Sequence, residues 1–347
     1  MNQYLLSVMK GKRSSFTAQV IMYLLVPWSF FYRIGVFCHQ NFYRFKGAFK
    51  APKPVISIGN ITVGGVGKTP LVIWLARTLQ DKGFKSVIVT RGYMPGNSKD
   101  SDEVDMLNEQ IPYIPVLAGA NRVKNIKESK GNLPVDVYIA DDGFQHWPLH
   151  RDLNIVAIDA GNPFGNGFLL PAGILREPLS ALKRAQVIVL TKTDGVSDLH
   201  ILTQKIRKIN PKALIVESAH KAKGVVDVFE SEALPVDYLK NLPVVGFCAI
   251  GDPYSFELEL KNTGAQISKL FTFRDHHLYK KNDIQQMIDL CHAQAVPILV
   301  TTHKDAVKLN SFKGMFKGLR LVYIPIQLEI TKGSDEFVQK VISVCRY

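Results

Sequence analysis

At 347 residues the chain is long enough for about two domains, and a hydrophobic fraction of 46% is that of an ordinary globular protein. Four scattered cysteines, Cys38, Cys248, Cys291 and Cys345, form no CxxC pair, which argues against a disulfide framework or a zinc site and fits a reducing compartment. The net charge of +13 is uneven: residues 1–80 carry ten Lys and Arg and no acid before Asp81, so this end is attracted to polyanions, either nucleic acid or an anionic membrane surface.

The apolar content of the same end separates those two partners. Residues 16–32, FTAQVIMYLLVPWSFFY, are uncharged, and a second apolar piece, 34–38, follows Arg33. Seventeen residues with Pro27 inside fall slightly short of the about 20 that a spanning helix needs. Aromatic residues beside Lys and Arg are what an interfacial anchor uses, and no small-residue cleavage site follows. Residues 1–50 are therefore expected to form a membrane-associated helical segment with its basic residues at the cytoplasmic surface, either spanning or lying in the interface.

Residues 55–58 form a short β-type run, and 71–82 read as a helix. Between them lies Gly59-Asn60-Ile61-Thr62-Val63-Gly64-Gly65-Val66-Gly67-Lys68-Thr69-Pro70. Strand, glycine-rich turn, Gly-Lys-Thr and helix is the context of a phosphate-binding loop. The glycines let successive N–H groups turn toward one anion, and the helix N-terminus adds unsatisfied donors. Lys68 can reach the β/γ-phosphates, and the Thr69 hydroxyl can ligate Mg²⁺. One position departs from G-x-x-x-x-G-K-[ST]: Thr62 stands where Gly is expected, so Gly64 and Gly65 supply the freedom.

Further strands are predicted at 86–90, 135–140, 155–158, 187–190, 214–216, 244–248, 267–271, 298–302 and 321–324, with helices at 199–208 and 283–293. Near-continuous apolar strands suit parallel sheets covered on both faces, which makes the class α/β. A boundary falls at 220–242. It divides a nucleotide-binding domain over 51–225 from a smaller α/β domain over 226–347.

In such sheets ligands bind at the carboxyl ends of the strands. Arg91, after 86–90, could face the phosphates. Asp141 and Asp142 end the run 135–140, where a carboxylate holds Mg²⁺ directly or through water. Two adjacent acids would repel strongly without a cation. Residues 100–105 make an acidic loop, whose carboxylates could accept a proton from an attacking hydroxyl near the γ-phosphate. Thr191-Lys192-Thr193-Asp194 is either a nucleotide-base contact or a strand-to-turn exit. In the second domain Asp275-His276-His277 offers an orienter–base pair, and Lys304 a phosphate contact.

In order along the chain, 59–70, Arg91-Gly92-Tyr93, Asp102-Glu103, 141–146, 170–178, Thr191–Asp194, Asp275-His276-His277 and 304–308 resemble the tetraacyldisaccharide 4′-kinase family of lipid A biosynthesis. The resemblance implies a P-loop NTPase-like α/β/α sandwich with a second, smaller α/β/α domain, an N-terminal membrane-associated helix and an active site in the cleft between domains. It implies ATP and Mg²⁺, and transfer of the γ-phosphate to the 4′-hydroxyl of tetraacyldisaccharide 1-phosphate, giving lipid IVA, at the cytoplasmic face of the bacterial inner membrane. Under it, Thr62, Val63, Gly64, Gly65, Val66, Gly67, Lys68 and Thr69 bind the nucleotide. Asp102 is the base and His276, rather than His277, its partner. Thr69, Asp141, Asp142 and Glu177 serve the metal, while Arg91, Glu103, Arg122, Gln145 and Arg176 face phosphate or substrate. Ser101 stands where the family usually has Gly.

Two rivals make different demands. A regulatory GTPase or partitioning ATPase draws on Thr191–Asp194, but such ATPases often carry Lys where this chain has Val63. A nucleic-acid-binding protein draws on the charge alone. The basic residues are interleaved with a long apolar run and no recognition motif accompanies them, so no nucleic acid is expected as a partner.

Overall fold

The computed structural model describes residues 3–11, 15–92, 98–129, 131, 133–251, 253–275 and 277–346, with the backbone alone for 3 and 98–103. Helices α1 (Gln3–Met9) and α2 (Phe16–Lys46) lead into β1 (Val55–Gly59), α3 (Lys68–Asp81), β2 (Ser86–Thr90), α4 (Ser98–Gln110), β3 (Val116–Ala118) and α5 (Arg122–Ser129). Then follow β4 (Val137–Asp141), β5 (Leu153–Asp159), β6 (Val187–Thr191), α6 (His200–Ile209) and β7 (Leu214–Ala222). The chain continues through β8 (Val225–Asp227), β9 (Ala233–Leu234), β10 (Pro243–Cys248), α7 (Pro253–Asn262), β11 (Gln266–Thr272) and α8 (Lys281–Ala293). It ends with β12 (Ile298–Thr302), α9 (His303–Ala306), β13 (Arg320–Ile324), β14 (Ile326–Lys332) and α10 (Ser334–Cys345).

Two compact units result, Met1–Ala219 with Glu329–Tyr347, and His220–Leu328. The expected second domain ran to residue 347. The chain instead returns to the first unit, because β14 adds an edge beside β7 and Phe337 of α10 stacks on Trp74 of α3 at 5.2 Å.

The first unit is built on an eight-stranded sheet in the order β14-β7-β6-β5-β1-β4-β2-β3. The pairings of β1 with β4 and β5, β2 with β3 and β4, and β6 with β5 and β7 are parallel. Every residue of β1, β2, β4 and β6 is buried, as expected of strands covered on both faces. From β1 the chain crosses to β2 on one side, and later returns to β5 on the other. The carboxyl end of β1 is thus a topological switch point, where open α/β sheets bind ligands.

The second unit's six-stranded sheet has the order β11-β10-β12-β13-β8-β9, parallel from β11 to β13 and antiparallel beyond. Residues alternate between its faces. Val245, Phe247, Leu299 and Leu321 pack with Ile284, Met287 and Ile288 of α8, while Val244, Cys248, Ile298, Val300 and Val322 pack with Phe256 and Leu260 of α7. Each unit is thus an α/β sandwich.

Two local readings change. The acidic residues 100–105 lie in α4 rather than a loop; Leu107 of this helix is buried, as is Ile111 just past its end, whose N–H donates to the Leu107 carbonyl at 2.9 Å. Residues 16–32 are only half of α2, which continues through Pro27 for 31 residues. Ala18, Ser29, Val36 and Gln40 fall on one helical face, at spacings of eleven, seven and four. Ser29 accepts from the Ala172 N–H at 3.1 Å and donates to the Leu169 carbonyl at 2.8 Å. The other sides carry Phe16, Tyr23, Leu24, Trp28, Phe30, Phe31, Phe37 and Phe45, all exposed. An 18-residue window of α2 has mean hydropathy 1.6, long and apolar enough to cross a membrane by length and composition.

Candidate active site

The phosphate loop begins where β1 stops. Gly59 is required by a close approach: a Cβ there would lie 2.5 Å from the Phe144 Cβ and 2.9 Å from the Phe144 N. The unexpected Thr62 has a structural reason. Thr62 forms an isolated antiparallel bridge to Leu175, with Val63 N–H donating to the Ile174 carbonyl at 2.8 Å and Arg176 N–H to the Ile61 carbonyl at 2.8 Å. Thr62 does not adopt a positive φ, so this position needs no glycine. The turn comes later, at Gly64 (φ 120°) and at Gly67 (φ 81°), which caps α3 in the left-handed conformation. Lys68 and Thr69 then open the helix.

At the end of β4 the two aspartates take different roles. Asp142, at φ 46°, turns its carboxylate onto Arg176 Nη1 (3.0 and 3.2 Å) and Lys68 Nζ (3.5 Å). Burial works to raise its pKa, but Lys68 and Arg176 outweigh it and bring it to about 2. Asp141 is 5% exposed, and burial pushes its pKa up even though Lys68 and Arg122 oppose this. The Thr90 hydroxyl donates to Asp141 Oδ2 at 3.3 Å, while Oδ1 is buried without a hydrogen-bond partner. The repulsion between these neighbours is thus met by protein cations. Arg122, buried at the start of α5, adds a third by donating to the Asp141 carbonyl at 2.8 Å.

Glu177 is 1% exposed and accepts from three side chains. Oε1 accepts from Gln145 Nε2 at 2.9 Å and Arg184 Nη2 at 3.0 Å. Oε2 accepts from Gln40 Nε2 at 2.7 Å and lies 2.8 Å from Arg184 Nη2. Three donors, Gln40, Gln145 and Arg184, thus hold most of the about four lone-pair directions of this carboxylate, and Glu177, expected at the metal, is engaged with protein donors. Gln145 donates to the Asn60 carbonyl at 2.7 Å, and Lys68 to Asn60 Oδ1 at 3.5 Å. A polar chain therefore runs from α2 through Glu177 and Gln145 to the phosphate loop. Arg184, over the Phe144 and Trp147 rings at 4.3 and 4.5 Å, closes its far side.

Beside this chain lies a cavity of about 510 Å³. Tyr32, Gly35, Val36 and His39 of α2 wall one side; Arg91, Arg122 and Arg176 bring three guanidinium groups, with Asp142, Gln145, His146, Trp147 and Glu177 completing it. Tyr32 donates to the Arg176 carbonyl at 3.2 Å. His146 Nδ1 lies 3.4 Å from Arg122 Nη1, and burial, with the charges of Arg122 and Arg151, lowers its pKa to about 4.

Lys68, Asp142, Gln145, Arg176 and Arg122, named from sequence, thus converge. Arg91 lines the same cavity as an exposed residue. The side chains of Asp102 and Glu103 lie outside the described residues, as does His276. His277 is engaged elsewhere: Nε2 lies 2.9 Å from Asp283 Oδ2 and the ring stacks on Phe273 at 4.8 Å. Thr191–Asp194 exits β6, with Thr191 buried and Lys192 paired to Asp159 at 2.9 Å. Lys304 meets Asp275 at 3.3 Å. Among the described residues no cluster of three His, Cys, Asp or Glu is arranged for a metal. Sequence reasoning gave no role to Gln40, Asn60, Arg184 and His146, although Asn60 and His146 lie within the blocks 59–70 and 141–146. Gln40 and Arg184 carried no local signal.

A parallel sheet with a glycine-rich loop and a lysine at its switch point defines a P-loop-type nucleotide-binding protein. Residues 21–344 match the family model described as LpxK, tetraacyldisaccharide-1-P 4'-kinase. The tetraacyldisaccharide 4'-kinase of Halothermothrix orenii is 33% identical over 98% of this chain and 97% of its own length. That of Syntrophus aciditrophicus is 34% identical over 91% of each. Among solved structures, the "apo" form LpxK from Aquifex aeolicus in complex with ATP covers 93% of this chain and 99% of its own, with TM-score 0.74 and 27% identity. The chain belongs to the tetraacyldisaccharide-1-P 4'-kinase family, a kinase family of lipid A biosynthesis, and is an enzyme.

Proposed function

We propose that the chain transfers the γ-phosphate of ATP to the 4′-hydroxyl of tetraacyldisaccharide 1-phosphate, giving lipid IVA, at the cytoplasmic face of the bacterial inner membrane. The observation that carries this reading is the cavity of about 510 Å³ between an outward-apolar helix and the phosphate-loop end of the sheet, with three arginines in its wall. An anionic sugar head on an acyl anchor fits both features. Residues 62–69 cradle the triphosphate, and Lys68, held by Asp142 and Asn60, neutralises it. Arg91, Arg122 and Arg176 receive the phosphate-bearing head.

Oxygen donors suit Mg²⁺, and Asp141 offers a buried carboxylate oxygen without a hydrogen-bond partner. Thr69 and Asp141 are the residues proposed to hold the ion, with Asp142 organising Lys68 and Arg176 beside them. When bound, Mg²⁺ would offset charge on the phosphate oxygens. Glu177 is proposed to act by positioning Gln145 and Arg184. Asp102 is the proposed base that takes the hydroxyl proton, with Glu103 beside it and His276 as the base's partner.

Membrane attachment is proposed in the interface plane. Ser29, Tyr32 and Gln40 bond to the body of the first unit while Trp28, Phe31 and Phe37 stay exposed. A helix held from Ser29 to Gln40 by its own domain is not free to thread a bilayer.

The experiment is a label-transfer assay with detergent-solubilised protein, γ-labelled ATP, Mg²⁺ and tetraacyldisaccharide 1-phosphate. Labelled lipid that disappears in Lys68→Ala is the expected result. A folded, ATP-binding sample that labels no lipid overturns the proposal.

A further inference from the structure

Thr191 ends β6, is fully buried, and touches no part of the cavity. Its hydroxyl reaches across to the phosphate loop and donates to the Val66 carbonyl at 2.7 Å. A second carbonyl, Ile158, stands 3.3 Å away, but one hydroxyl hydrogen serves one acceptor well, and the shorter contact is to the loop. The support is rigid. Thr191 pairs in register with Asp159 of β5, its carbonyl accepts from the Ala160 N–H at 2.9 Å, and the next residue, Lys192, is tied to Asp159 at 2.9 Å.

Peptide geometry turns this contact into a statement about the ligand. Val66 C=O and Gly67 N–H belong to one planar trans unit, so they point in opposite directions. Holding the carbonyl toward the sheet aims the Gly67 N–H away from it, toward the mouth of the loop. Gly67 itself sits at φ 81°, and Gly64 and Gly65 have open space where a Cβ would be, so the glycines do not fix the orientation of this peptide. A flipped Val66–Gly67 unit would present a carbonyl dipole to the phosphates instead of a donor.

We propose that Thr191 is a positioning residue for the phosphate loop, fixing the Val66–Gly67 peptide so that Gly67 N–H donates to a phosphate of a nucleoside triphosphate. The motif 191–194 then acts, at its first residue, on the phosphates rather than the base. The inference rests on the nucleotide-binding role of residues 62–69.

The test compares Thr191→Val, Thr191→Ala and Thr191→Ser with the parent. It measures ATP and GTP affinity by calorimetry, KM for ATP and for the lipid, and thermal melting. In Thr191→Val and Thr191→Ala the loss of an aimed donor to an anion weakens ATP and GTP binding alike by about tenfold. KM for ATP rises in step, KM for the lipid stays put, and Thr191→Ser stays within about twofold of the parent. Removal of the hydroxyl with ATP affinity unchanged, and only the melting temperature lowered, overturns the proposal. So does a change in the ratio of ATP to GTP affinity in place of a common loss, which would assign the motif to the base. If the parent protein transfers no phosphate to the lipid, the kinase reading fails while the affinity measurements still decide the role of Thr191.

Discussion

Glu177→Gln separates two roles for this carboxylate, and the structure sets the magnitude. The glutamine keeps the shape but replaces one acceptor oxygen by an amide donor. Against Oε1 stand Gln145 and Arg184, and against Oε2 stand Gln40 and Arg184. Gln40 can turn its amide to suit, but Gln145 is held by its bond to the Asn60 carbonyl, and Arg184 has only donors and keeps at most one good contact. It is also left as a partly buried cation over two rings without its counter-ion. Losing the charge and one charge-assisted contact costs about 3 kcal/mol. In a domain of this size, at about 2–4 °C per kcal/mol, the melting temperature of the first unit falls by about 6–12 °C. The fall is expected in metal-free buffer, with the Mg²⁺ concentration for half-maximal transfer near that of the parent. Differential scanning fluorimetry and a Mg²⁺ titration of activity read the two quantities. A variant that melts like the parent but requires far more Mg²⁺ would refute the positioning role and make Glu177 a metal ligand.

Other outcomes follow from the same geometry. Asp102→Asn is expected to lower kcat by about 100-fold or more with KM for ATP nearly unchanged, because a base acts in the transition state; steady-state kinetics checks it, and an unchanged kcat removes Asp102 from the role. His146 has its folded pKa, about 4, below its ordinary 6.5, so the unfolded chain binds its proton first. Stability is therefore lost as pH falls from about 6.5 toward 4, by at most about 1.4 kcal/mol per pH unit, and chemical denaturation of His146→Gln should show a shallower slope across that window. The double variant Trp28→Glu with Phe31→Glu removes two exposed aromatics and leaves folding within about 0.5 kcal/mol. Sedimentation with anionic vesicles should show binding weakened by about a hundredfold or more, given about 1.5–3 kcal/mol for each of the two immersed aromatics; unchanged sedimentation would remove α2 from the membrane contact.

What the sequence makes legible is what repeats. β1, β2, β4, β6, β10 and β12 are short apolar runs buried along their length, and the class follows from them. Short or edge strands such as β3, β8 and β9 bury too few residues to leave a period. Acidic residues hid α4, which buries Leu107 and is followed by the buried Ile111. In α2 the usual sense of amphipathicity is inverted: Ser29, Tyr32 and Gln40 bond inward while the aromatics face out. A rule that buries the apolar face would have turned this helix the wrong way. The site follows the same division. Residues 59–70 were readable because a backbone that bends around an anion needs glycines at fixed spacing. The network that supports that loop was not. Gln40 and Arg184 come from distant parts of the chain, obey no period, and acquire their roles only when they meet Gln145 on the one buried charge of Glu177. Burying that charge demands that all its lone pairs be satisfied at once. That demand ties α2 to the phosphate loop, and it arises from the folded arrangement of the four residues rather than from any one stretch of sequence.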